Sequence, residues 1–163
     1  MSKESSTALH FRTATAADRP RLIEMINAAF AIETFLEGTR TDEERLAAMM
    51  EKGEMLVAED DLGRIVASVY VELRGSRGYL GMLAVDPAHQ RRGLGKRMLE
   101  EGERRFREQG CEAVDIIVLS LRPDLPPVYR RLGFVEVRTE PFTPSRRLKD
   151  SIECHGIVMS KTL

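Results

Sequence analysis

The sequence predicts an α/β (α+β) domain of about seven strands and four helices, and three observations predict it. Short apolar or alternating runs recur along the chain with turn residues between them, and four other segments repeat their apolar residues every three or four positions. A glycine-rich turn also sits where a strongly apolar run hands over to the longest helical segment. A chain of 163 residues can bury a core without disulfide or metal staples, so one folding unit over residues 1–163 is expected.

Each element has a local reason. Residues 9–13 read as a first strand, and Thr15 with Asp18 forms a capping-box-like start to a helix reaching about residue 31, with Leu22, Met25, Ile26 and Ala29 on one face. Thr41 and the acidic residues after it supply an N-cap and first-turn carboxylates for a second helix ending near Gly53. Residues 55–59 and 65–73 flank Asp60-Asp61-Leu62-Gly63, which is hairpin chemistry. Residues 79–85 are apolar on both faces, which predicts a central buried strand ended by Asp86-Pro87. From Gly93, Leu94, Met98, Gly102 and Phe106 repeat four apart as a third helix, which Gly110 stops. A strand at 113–118, a short helix with Asp124 as cap and Pro126 and Pro127 in its first turn, and strands at 134–139 and 152–161 complete the order. Residues 140–150, with two prolines and several basic side chains, read as a solvated connection.

Composition narrows the function. The formal charge of -1 leaves no basic excess for neutralising phosphates, so nucleic acid is not an expected partner. Cys111 and Cys154 lack metal-site or disulfide-framework spacing, which predicts no metal and a reducing cytoplasm. The polar start of the chain lacks the apolar run of a secretory signal, and no stretch approaches the roughly 18 apolar residues of a membrane helix.

The turn Gln90-Arg91-Arg92-Gly93-Leu94-Gly95-Lys96 carries the chemistry. Main-chain N–H groups at a helix start lack intrahelical partners, and glycines let a phosphate approach without a Cβ in the way. A structural strand-to-helix turn would use the same residues. Two rivals fail on spacing: the P-loop needs its lysine after a longer glycine loop, and the dinucleotide fingerprint needs a third glycine where Met98 stands.

Gln90 to Gly95 resembles the Gln/Arg-x-x-Gly-x-Gly/Ala signature of GNAT acetyltransferases. The approach Leu83-Ala84-Val85-Asp86-Pro87, the amphipathic helix, the next strand and Tyr129-Arg130-Arg131-Leu132-Gly133-Phe134 follow in that family's order and spacing. The resemblance covers residues 55–137 strongly. It implies a GNAT fold, a mixed, mostly antiparallel seven-stranded sheet flanked by about four helices, and acetyl-CoA as the acetyl donor. The sheet would splay after the strand ending at Val85. The backbone of Leu83, Ala84 and Val85 would pair with the pantetheine arm, and Gln90, Arg91, Arg92, Gly93, Leu94, Gly95 and Lys96 would meet the pyrophosphate. Tyr129 would protonate the departing sulfur as general acid. The acceptor would be a primary amine on a small molecule or peptide, attacking directly.

Two departures matter. Tyr79 stands where some members carry a glutamate base, so another group must take the amine's proton; Glu33, Glu37 and Glu72 are the candidates for meeting the acceptor. Arg122 replaces a frequent asparagine and would form a surface ion pair, or meet a cofactor phosphate or an acidic group. His10, His89 and His155 are expected to serve packing or solvent contacts. A non-catalytic acyl-CoA-binding sensor or interaction module is the alternative, and pairing of two copies through the C-terminal strand is conceivable.

Overall fold

The computed structural model describes residues 8–35, 37–141 and 153–163. The polar first seven residues, most of the 140–150 connection and the expected strand start at residue 152 lie outside them. The elements are β1 (His10–Thr13), a 3-10 turn at Ala16–Asp18, α1 (Arg19–Ala29), α2 (Glu43–Lys52), β2 (Glu54–Glu59), β3 (Ile65–Arg74), β4 (Arg77–Val85), a 3-10 turn at Pro87–His89, α3 (Leu94–Glu108), β5 (Ala113–Leu119), α4 (Leu125–Arg131), β6 (Val135–Pro141) and β7 (His155–Thr162). They form one seven-stranded sheet in the order β1-β2-β3-β4-β5-β7-β6, antiparallel except for the β4 and β5 pair, which α3 connects. The fold class is the expected one.

Alternation along the strands divides the core between the two faces of the sheet. Met55 and Val57 of β2 join Leu22, Met25, Ile26 and Leu46 under α1 and α2, while Leu56 joins Leu80, Met98, Phe106 and Phe134 on the α3 side. Fully burying each such side chain contributes roughly 1.5–3 kcal/mol. The capping box at Thr15 and Asp18 is present, but it opens the 3-10 turn, and α1 starts only at Arg19 with Pro20 in its first turn. Asp18 also takes two hydrogen bonds from Arg12, at 2.8 and 2.9 Å, and Arg12 reaches Glu59 at 2.9 Å. These pairs tie the first turn to β1 and β2.

Three expectations need correction. The residues of β4 are not all buried: Gly81, Met82, Leu83 and Val85 are half-buried because the sheet opens beside them. The sixth strand begins at Val135 and is exposed along nearly all its length, since it forms an edge of the sheet. The C-terminal strand β7 is paired on both sides, with β5 and with β6, so it offers no free edge to a second copy. No described helix is long and apolar enough to cross a membrane.

Candidate functional site

The site begins where two parallel strands part. Ladder contacts between β4 and β5 run only from Arg77, Gly78 and Tyr79 to Ala113, Val114 and Asp115, although β4 continues to Val85 and β5 to Leu119. The joined end is clamped: Arg77 bonds both oxygens of Asp115 at 2.8 and 2.7 Å, and Ser160 of β7 donates to the same carboxylate. Beyond it the strands diverge around a cleft of about 1090 Å³. Leu80, Leu83 and Val85 line one side, and Ile116, Val118 and Leu119 the other.

On the β4 side the strand carries a bulge. Ser68 and Tyr70 of β3 pair with Ala84 and Gly81, so three steps on β4 oppose two on β3. The extra residue is absorbed where Met82 takes a left-handed φ of 49°, a conformation that costs a non-glycine residue about 1–2 kcal/mol. Sequence inspection missed this feature. Its one trace is Gly81, where a Cβ would lie 2.8 Å from the Tyr79 hydroxyl.

The glycine-rich turn closes one end of the cleft. Asp86 is held by Arg21 at 2.5 Å and accepts from the Ala88 N–H at 2.9 Å, and Gln90 donates to the Val85 carbonyl at 3.3 Å. Arg91 and Gly93 then take positive φ values of 68° and 73°, left-handed conformations of the kind used in anion-binding turns. Gly93 precedes α3 without any side-chain cap, so helix geometry leaves the Leu94, Gly95 and Lys96 N–H groups without intrahelical acceptors. A Cβ on Gly95 would meet Leu83 and Val85 at 3.7 and 3.8 Å, on the side facing the cleft.

Of the residues expected to hold a cofactor, Leu83, Val85, Gln90, Arg91, Gly93, Leu94 and Gly95 line the cleft. Ala84 points into the opposite core, and the side chains of Arg92 and Lys96 are exposed outside the lining.

Tyr129 reaches the same cleft from α4. Pro126 and Pro127 start that helix, and the Tyr129 ring packs edge-on against buried Phe134 at 5.8 Å. Burial pushes the phenol above the ordinary tyrosine range, which keeps Oη protonated at neutral pH. Tyr79 is likewise raised, chiefly by burial, and lies under the Arg74 guanidinium at 4.0 Å. A phenol so held takes no proton from an amine.

The three candidate glutamates separate. Glu33 lines the cleft with its side chain only 4% exposed, and Arg122 donates to its Oε2 at 2.7 Å. Glu37 is exposed and does not line the cleft. Glu72 is occupied away from the cleft by the Tyr70 hydroxyl at 2.6 Å and Arg74 at 2.7 Å, so neither Glu37 nor Glu72 fits the expected role. Arg122 is no surface pair: its side chain is 15% exposed and its guanidinium is shared between Glu33 and both oxygens of Asp124. Three of its five N–H donors are taken by these carboxylate oxygens. Arg40, which sequence reasoning passed over, lies 3.9 Å from Glu33 Oε1 and packs over Phe30. Reciprocal hydrogen bonds between Asn27 and the Thr41 main chain, at 3.1 and 2.8 Å, fix the end of this loop to α1. His89 stands in the turn, and His10 and His155 begin β1 and β7; none lines the cleft.

Comparison with known proteins agrees with this architecture. A mycothiol acetyltransferase of Propionibacterium freudenreichii subsp. shermanii is 30% identical over 149 residues, covering 84% of this chain and 46% of that protein. Glucosamine 6-phosphate N-acetyltransferase 1 of Oryza sativa subsp. japonica is 35% identical over 108 residues, covering 61% of this chain and 64% of that one. The chain thus spans about half the length of the first and under two thirds of the second. A GNAT family acetyltransferase from Elizabethkingia anophelis, solved with acetyl-CoA bound, shares the fold with a TM-score of 0.74 at 16% identity, over 95% of this chain and 98% of that one. The sequence model described as "Acetyltransferase (GNAT) domain" matches residues 23–144, three quarters of the chain, and the protein therefore belongs to the GNAT acetyltransferase family.

Proposed function

We propose that the chain is an N-acetyltransferase that moves an acetyl group from acetyl-CoA to the primary amine of a small molecule. One observation carries this reading: Tyr129 and Glu33 line the same cleft that opens between β4 and β5 and ends at the uncapped start of α3.

The residues present suit a coenzyme A thioester. The β4 edge from residue 80 onward has no β5 partner and offers main-chain groups to an extended amide chain, and the missing Cβ of Gly95 leaves room beside the α3 amides for a diphosphate. Acetyl-CoA supplies the acetyl group as a thioester. Glu33 Oε1 carries no hydrogen bond and is the acceptor for the amine's proton, while Arg122 fixes the other oxygen and with it the orientation of the carboxylate. Tyr129 Oη holds the proton that a departing thiolate takes up.

The relatives named for mycothiol and for glucosamine 6-phosphate support a small-molecule acceptor. Calorimetry with acetyl-CoA, followed by thiol release over a panel of amines, tests the reading. Saturable binding and amine-dependent release are expected. Binding without release for any amine would instead make the chain an acyl-CoA-binding module.

A further inference from the structure

The acceptor end of the cleft holds two buried polar atoms that nothing in the described structure satisfies. Glu33 Oε1 and Arg40 Nε are both buried without a hydrogen-bond partner. Their side chains approach to 3.9 Å, outside hydrogen-bonding distance, and both line the main cleft and an adjoining chamber of about 290 Å³. Buried polar groups are normally paired, so an unpaired acceptor beside an unpaired donor marks a place where a ligand brings the complementary pair.

The charges around this point restrict the ligand further. Arg122 already donates three hydrogen bonds, to Glu33 and to both oxygens of Asp124, whereas among the described residues Arg40 makes the long contact to Glu33 and a cation–π contact with Phe30 at 4.9 Å. An ammonium at Glu33 Oε1 would also face the Arg40 guanidinium, and like charges at such range in a half-dry site repel. An anionic group on the same molecule removes that repulsion and takes the Arg40 Nε–H. Planar guanidinium groups suit carboxylates and phosphates alike.

We infer that the acceptor is a bipolar small molecule, an amine that also carries a carboxylate or phosphate, with its nitrogen at Glu33 and its anion at Arg40. This rests on the acetyltransferase reading and names the substrate class of that same site.

Matched pairs test it: glucosamine 6-phosphate against glucosamine, and γ-aminobutyrate against butylamine. Each pair differs only by the anion, and the two arms distinguish phosphate from carboxylate. Affinity in the presence of CoA and kcat/KM with acetyl-CoA are both read. In at least one pair the anionic amine is expected to be favoured by about tenfold or more, the range of one charge-assisted contact. Arg40→Gln should bring that ratio toward one, and Arg40→Lys should restore part of it. Neutral and anionic amines handled alike, or a ratio unmoved by Arg40→Gln, would overturn the inference while leaving the acetyltransferase reading intact. No uptake of acetyl-CoA by the wild-type chain would overturn both.

Discussion

The two walls of the cleft are built by different means. The wall assigned to acetyl-CoA consists of regular elements: the parted edges of β4 and β5, the glycine turn and the first turn of α3, arranged by main-chain geometry. The wall assigned to the acceptor consists of the loop after α1 and the start of α4, held by side-chain contacts among Glu33, Arg40, Arg122 and Asp124. A donor common to a family can be met by backbone, whereas an acceptor that varies is met by side chains on loops, which change without disturbing the sheet.

Substitutions can break this division of labour. Tyr129→Phe should lower kcat by about 100-fold, the lower end for general acid catalysis, and leave acetyl-CoA affinity nearly unchanged. The ratio of the wild-type rate to the variant's should stay level through neutral pH and fall only as the pH rises above the ordinary tyrosine range near 10, because only the protonated phenol donates and the amine's own titration is common to both. Glu33→Gln should reduce kcat/KM for the amine by tens of fold, again without weakening acetyl-CoA binding measured by calorimetry. Gly95→Val should do the reverse. Its branches would fill the approach beside Leu83 and weaken acetyl-CoA by about tenfold, with smaller consequences for bound-state turnover.

The smallest effect sharpens the comparison from outside the cleft. Arg12 holds the Asp18 carboxyl down to about 2, so the pair contributes stability above the unfolded value near 4 and loses it as the pH falls through about 2. Arg12 is over a third exposed, and solvent screening reduces the contribution to about 1 kcal/mol. Asp18→Asn should cost that amount in urea unfolding at pH 7 and almost nothing at pH 2, with both catalytic steps unaffected.

What could be read in the sequence follows the same divide. Leu94, Met98, Gly102 and Phe106 announce α3 because a helix buries one stripe, and all four are buried. Gly93 is legible because its left-handed conformation favours glycine. Glu33 was indistinguishable in sequence from Glu37 and Glu72, since only the folded chain places it in the cleft beside Arg122 and the other two outside. Arg40 gave no local signal, because its position depends on where the loop returns to α1 through Asn27 and Thr41. The Met82 bulge was equally hidden, being a property of register between two strands.

The most direct test is a crystal structure with acetyl-CoA at saturating concentration. The thioester arm is expected along the open edge of β4, its diphosphate at the Leu94, Gly95 and Lys96 amides, and its sulfur within hydrogen-bonding reach of Tyr129 Oη. Ligand bound outside the parted strands, or sulfur remote from Tyr129 with the α3 amides facing only solvent, would contradict the assignment.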